Sequence, residues 1–303
     1  MTRLVVGPFN RVEGDLEVTL DVDDGHVRSA QVNAPMFRGF EQILLGRDAL
    51  DALVVVPRIC GICSVSQSAA AAAALARAMG VTPPPDGWRV AQLIQATENL
   101  ADHLTHFYTF FMPDFAREAY RGRAWFDAVH ARFKATVGSA VRDALPARMA
   151  FMQAMGLLAG KWPHTLTLQP GGTAQALQAS QRLRLVALLA EFRRWLEERL
   201  FGDVLEAVAA LSDAAALRRW AAARLAPSGA APADLPLFLQ VADDLQLWQT
   251  GRATDRFLAT DAHAGADGPL MRGGVWADGR VHPFDPSDVA EDLTHAWLAA
   301  DDP

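Results

Sequence analysis

The chain has 303 residues, 51% hydrophobic and 21% charged, which leaves room for one large domain or two ordinary ones and excludes a disordered or collagen-like chain. Its formal net charge is −7, from 28 Lys+Arg against 35 Asp+Glu, so neither nucleic-acid binding nor a basic lipid-binding patch is expected. Two cysteines exclude a disulfide-stapled fold and cap any metal site built by this chain alone at two thiolates. Residues 1–15 have no apolar stretch of the secretory kind, and no segment reaches the roughly 18 apolar residues of a membrane helix. The expectation is a cytoplasmic protein without a membrane segment.

In chain order, the N-terminal residues read as sheet. Leu16, Val18, Leu20 and Val22 alternate with polar neighbours, Asp23-Asp24-Gly25 supplies a turn, and Val27 to Val32 resumes the strand. Ser68 to Met79 is alanine-rich and helix-prone, stopping at Gly80 and Pro83-Pro84-Pro85. From Val90 to Phe111, Leu93, Leu100, Leu104, Phe107 and Phe111 recur at helical intervals and predict one apolar face. An amphipathic run covers Ala174 to Phe201, and Leu205 to Leu225 continues it with alanines. Ala226 to Pro236 reads as an exposed loop, and Gly273 to Gly279 as turns with short strand. The predicted class is α+β: a small N-terminal antiparallel sheet on a large helical body.

Cys60-Gly61-Ile62-Cys63 is the sharpest local feature. A C-x-x-C pair brings two sulfurs within reach of one metal, and Gly61 permits a tight turn between them. Both cysteines precede a helical stretch, whose N-terminus favours thiolate over thiol. Three uses are open: a dithiol redox pair, half of a zinc or iron–sulfur site, or half of a nickel–iron site. As packing residues they would be two small hydrophobes beside a turn. A thioredoxin-like pair would open the helix of a βαβ unit, which does not follow here, and no second C-x-x-C or nearby H-x-x-H completes a zinc ribbon. His103 and His106 have i, i+3 spacing but no acidic or thiol partner nearby in sequence, and His164, His263, His282 and His295 suggest no triad. Ser64, Ser66 and Ser68 lack a nucleophile elbow.

The wider pattern is more specific. Arg11-Val12-Glu13-Gly14, Arg38-Gly39-Phe40-Glu41 and Arg58-Ile59-Cys60-Gly61-Ile62-Cys63 occur in that order. They are followed by His106-Phe107-Tyr108 with Asp114, Lys161-Trp162-Pro163-His164 and Arg272-Gly273-Gly274-Val275. This pattern resembles the large subunit of nickel–iron hydrogenases, and most closely their regulatory, H2-sensing branch, over essentially all 303 residues as one large-subunit domain. The resemblance implies that Cys60 and Cys63 ligate a nickel–iron centre whose iron carries CO and cyanide, with Cys60 terminal on nickel and Cys63 bridging. It implies that Glu13 is the first proton relay, that Asp114 orients an active-site arginine, and that Glu41 helps bind a structural magnesium-type ion. On their own these residues read more plainly, Glu13 and Glu41 as solvated carboxylates and Asp114 as a cap at a helix stop.

Two departures point to the sensing branch. Gln67 stands four residues after the second cysteine, where most catalytic members have histidine; with Arg58 it belongs to the surroundings of the thiols. Ile62 and Phe110 are bulkier than the side chains lining the gas channel of many members, which implies a path that admits H2 and hinders O2; plain core packing is the other explanation. The family also carries a second C-x-x-C followed by histidine, and an arginine segment before it, neither of which occurs here. The expectation is therefore the N-terminal portion of a longer subunit, or else a metal-free scaffold or assembly protein. An energy-converting uptake enzyme is the third alternative. The partners implied are a small subunit holding all the iron–sulfur clusters, a histidine kinase, and maturation proteins.

Overall fold

Alternation along Glu17–Asp23 builds the central strand of a three-stranded antiparallel sheet. In the computed structural model, which describes residues 2–9, 15–34, 36–225, 232–251, 254–265 and 268–290, β1 (Thr2–Val6), β2 (Glu17–Asp23) and β3 (His26–Asn33) lie in the order β1-β2-β3. Leu4 pairs with Leu20 and Val18 with Val32, and the register slips between Asp21 and Val22. Asp24 (φ 50°) and Gly25 (φ 74°) make the hairpin turn as the Asp-Gly signal predicts. The short helix α1 (Phe40–Leu44) follows. By its internal contacts the chain divides at Arg47/Asp48 into two compact units, the second running over residues 48–301.

The larger unit is helical. Ala52–Val55 forms α2, and a 3-10 turn at Val56–Arg58 leads through the cysteines into α3 (Ser64–Met79). Six consecutive alanines from Ala69 to Ala74 favour that helix, and Gly80, at φ 66°, closes it. Pro84 and Pro85 stop nothing further: Pro85 occupies the first position of α4 (Pro85–Thr105), where no amide hydrogen is needed. The helical path continues to Phe111 as a π-helix, His106–Phe111, and then tightens into a 3-10 turn, Met112–Ala116.

Helices α5 (Phe126–Phe133), α6 (Ala140–Phe151), α7 (Gln153–Ala159) and α8 (Ala179–Trp195) follow, with the short hairpin β4 (Leu168–Gln169) and β5 (Gly172–Thr173) before α8. A second π-helix, Leu196–Phe201, extends α8. The alanine-rich stretch expected as a continuation is two helices, α9 (Leu205–Ala209) and α10 (Ala214–Leu225). Asp213 accepts the Ala216 amide at 2.7 Å and so starts the second afresh.

Of the loop expected at Ala226 to Pro236, residues 226–231 lie outside the described residues, and Asp234 and Pro236 already belong to α11 (Asp234–Asp244). Asp234 is buried there because Arg132 and Tyr108 bond its carboxylate. Short strands β6 (Phe257–Ala259), β7 (Ala262–Gly265), β8 (Gly268–Met271), β9 (Gly274–Ala277) and β10 (Arg280–His282) complete the description, in sheets β10-β9-β6 and β7-β8. No helix among the described residues is long and apolar enough to cross a membrane.

Two hydrophobic clusters form most of the core. One, around Tyr108, Met112, Phe133 and Phe151, joins the π-helix of α4 to α5, α6 and α11. The other, around Leu53, Val65, Ile94, Met155 and Leu158, lies behind α3. The face of α4 that packs inward agrees with the predicted one towards its end, where Leu104 is buried and Phe107 and Phe111 pack on the Tyr108 cluster, and departs from it earlier. Leu93 and Leu100 are exposed, whereas Ile94, Thr97, Glu98, Ala101 and Leu104 are buried. The earlier part of the inward stripe carries Glu98, which bonds α3, so apolar periodicity misplaces Leu93 and Leu100 but places Leu104, Phe107 and Phe111 correctly.

Candidate metal centre

Cys60 and Cys63 lie on the turn between the 3-10 segment and α3, both half-buried. Cys63 is the N-cap residue of α3, and its backbone amide donates to the Cys60 sulfur at 3.4 Å. That bond folds the turn back on itself and leaves the two thiols in contact. One helical turn on, the Gln67 side-chain amide donates to the Cys63 sulfur at 3.6 Å.

A cysteine is a poor cap, and the Cys63 sulfur accepts no backbone amide of its own helix. The free amides are met by Glu98, a buried residue of α4. Its carboxylate accepts the Val65 amide at 3.0 Å, the Ser66 amide at 3.1 Å and the Trp162 indole at 2.8 Å. A fourth, long contact comes from the Ser64 hydroxyl at 3.5 Å. The loop bearing Trp162 reaches the other side of the same turn: the His164 amide donates to the Ser64 hydroxyl at 3.1 Å, and its ring nitrogen Nδ1 lies 3.0 Å from the Pro57 carbonyl.

These contacts alter the expected electrostatics. Burial chiefly, then the contact with Cys60, pushes the Cys63 thiol above its ordinary range; Gln67 pulls the other way and the Glu98 charge adds to the rise. At Cys63 the thiolate preference expected of a helix N-terminus is thus overturned chiefly by burial, with the Glu98 carboxylate on the helix's amides adding a smaller part.

The remaining predicted site residues are dispersed. Arg58 and Ile62 are exposed on the turn itself. Phe110 is 42% exposed in the π-helix, so it is not a core residue, and Asp114 is half-buried in the following 3-10 turn. Glu41 is exposed at the start of α1 in the other unit, and Glu13 lies outside the described residues. His103 and His106 are exposed, with His106 stacked on Phe110 and Phe111. Among the described residues, no group of three or more His, Cys, Asp and Glu side chains is placed to hold a metal ion. The chain therefore presents two soft sulfur donors and no further ligand among the described residues. That donor set fits half of a thiolate-bound nickel or iron centre.

Residues 38–119 match the model of the nickel-dependent hydrogenase family, and this segment contains both cysteines, Gln67 and Glu98. The chain is related to nickel-dependent hydrogenase large subunits over part of their length. It is 30% identical over 210 residues to the periplasmic NiFeSe hydrogenase large subunit of Desulfomicrobium baculatum, covering 65% of this chain and 41% of that one. It is 39% identical over 107 residues to the quinone-reactive Ni/Fe-hydrogenase large chain of Wolinella succinogenes, covering 35% and 19%. The chain thus spans less than half the length of these two hydrogenase proteins. Its fold is similar to that of a solved NiFeSe hydrogenase from D. vulgaris Hildenborough, with a TM-score of 0.74 at 23% identity over 98% of this chain and 57% of that one.

Sequence reasoning does not reach Glu98, and it gives His164 no role. The motif Lys161-Trp162-Pro163-His164 stands out, but nothing local in it says that its indole and imidazole meet the cysteine turn.

Proposed function

We propose that this chain supplies the N-terminal thiolate pair of the nickel–iron centre in the large subunit of an H2-sensing hydrogenase. Cys60 and Cys63 would hold the metal pair, which when bound supplies heterolytic cleavage of H2. The observation that carries the sensing assignment is the Gln67 amide on the Cys63 sulfur. An amide donates to a thiolate but cannot titrate, so the sulfur keeps a neutral partner, where an imidazole would gain and lose charge near neutral pH.

The chain's own residues would do the following. The Cys63 sulfur, steadied by Gln67, keeps its orientation. The Glu13 carboxylate would accept the proton from a protonated cysteine sulfur, which returns to thiolate, as the family resemblance implies. Ile62 and Phe110 narrow the approach of gas. Electrons leave to iron–sulfur clusters in a separate small subunit, since two cysteines cannot hold a cluster. A cytoplasmic location, a histidine kinase that receives the signal, maturation proteins that insert the metals, and a magnesium-type ion at Glu41 belong to the same proposal.

The test compares wild type, Cys60→Ser and Gln67→His in the matured complex. We expect nickel bound in wild type and lost in Cys60→Ser. Gln67→His should keep nickel but abolish the H2-dependent change in kinase phosphorylation. A matured wild-type complex without nickel would leave a scaffold protein. A wild-type complex that binds nickel but gives no H2-dependent kinase response would leave an ordinary uptake enzyme, and an unaltered response in Gln67→His would remove Gln67 from the sensing assignment.

A further inference from the structure

The cysteine turn is held from outside itself. A C-x-x-C pair at a helix start has two conflicting duties, because the residue at the N-cap is the one best placed to satisfy the free amides and is also a metal ligand. Here the two duties are separated. Glu98, on α4, accepts the Val65 and Ser66 amides, and this leaves the Cys63 sulfur to meet the Gln67 side chain instead of a backbone amide of α3. The same carboxylate takes the Trp162 indole at 2.8 Å. Because Trp162 and His164 share one loop, Glu98 also fixes the segment that bonds Pro57 and Ser64 on either side of the cysteines. The ring of His164 lies 4.0 Å from where a side chain on Gly61 would begin, so the loop backs the turn as well as bonding it.

We propose that Glu98 is the positioning residue of the Cys60–Cys63 pair: by capping α3 across the gap from α4 and tethering the Trp162–His164 loop, it sets the spacing of the two sulfurs. A buried carboxylate with three to four donors is rigid in a way that a solvated cap is not. Surrounding hydrogen bonds of this kind commonly change metal affinity roughly 10–100-fold when removed. The purpose assigned to the arrangement rests on the nickel proposal above; its geometry rests on the hydrogen bonds alone.

Phenylarsine oxide is a probe of sulfur spacing that needs no nickel. It closes a ring through two thiols, forming two arsenic–sulfur bonds and releasing one water, and it binds a single thiol weakly. Titrated into the full chain, it should be captured one-to-one, and capture should vanish in Cys60→Ser and in Cys63→Ser. Glu98→Ala should weaken capture roughly 10–100-fold. Glu98→Gln, which keeps one acceptor oxygen, should recover part of the loss. Val129→Ala, buried beside Phe126 and Phe133 in the cluster away from the turn, serves as a control for stability alone and should keep full capture. Undiminished capture by Glu98→Ala, equal losses in Glu98→Ala and Val129→Ala, or no capture by wild type would each overturn the proposal. Tight arsenical capture in a matured complex without nickel would sink the hydrogenase assignment and leave the positioning role of Glu98 standing.

Discussion

Tyr108 donates its hydroxyl to Asp234 at 2.7 Å from a position almost closed to solvent. Arg132 grips the same carboxylate at 2.7 Å through two nitrogens and holds Asp143 with the other edge of its fork. Burial alone would lower the Arg132 guanidinium, but hydrogen bonds to Asp234 and Asp143 raise it, so it stays charged. Removing one member of such a group leaves a buried charge without its partner. Arg132→Ala should therefore lose about 3–5 kcal/mol of stability, read as a fall in the urea midpoint; a loss below about 1 kcal/mol would mean that Asp234 finds another partner. Burial, helped by the Asp234 charge, pushes the Tyr108 phenol above its ordinary range. The unfolded chain releases that proton near pH 10 and the folded chain keeps it. The stabilisation is thus whole below about pH 10 and declines as pH rises further, by up to about 1.4 kcal/mol per pH unit from this group. Tyr108→Phe removes the group, so its stability should fall less steeply in alkali than wild type. Identical slopes in the two proteins would refute the assignment.

At the scale of elements, α3 shows what sequence can and cannot say. Its body and its end are legible, because alanine has the best helix propensity and Gly80 alone there accepts a left-handed conformation cheaply. Gly80 donates to the Ala76 and Arg77 carbonyls while Val81 closes back on Ala76 at 2.8 Å. Gly80→Ala should destabilise the protein by about 1–2 kcal/mol and leave arsenical capture unchanged, since the strain lies at the opposite end from the cysteines. Lost capture would mean that the whole helix shifts. The cysteines and Gln67 are also legible, being three and four residues apart, a spacing that one turn of helix brings together. Glu98 is not. Its partners on α3 lie 32 and 33 residues away, and His164 meets Pro57 across 107. Only packing creates those neighbours, and a hydrophobic pattern actively hides a carboxylate on a buried face. The π-helices that end α4 and α8 are equally silent, since their residues keep helical spacing while the hydrogen bonds shift by one.

On the scale of the molecule, buried side chains are unevenly shared. Among the described residues before Asp48 none is buried, and every residue of β1 and β3 is exposed. All three hydrophobic clusters draw their buried members from Leu53 to Val241. Burial of apolar surface is the dominant favourable contribution to folding, so stability should reside in the larger unit. A chain starting at Asp48 is expected to retain the helical circular dichroism of residues 48–303, to unfold cooperatively in urea, and to capture phenylarsine oxide as the full chain does. Residues 1–47 alone should show no cooperative transition, because a piece of that size without a buried core cannot offset the entropy of ordering its backbone. The same division separates two parts of the proposed chemistry. The thiols and their supports, Gln67, Glu98 and the Trp162–His164 loop, all belong to the larger unit, whereas Glu13 precedes it in sequence and lies outside the described residues. In the matured complex Glu13→Gln should accordingly slow H/D exchange with nickel retained, while Glu98→Ala should lower the nickel content itself. Loss of nickel in Glu13→Gln would contradict the relay role.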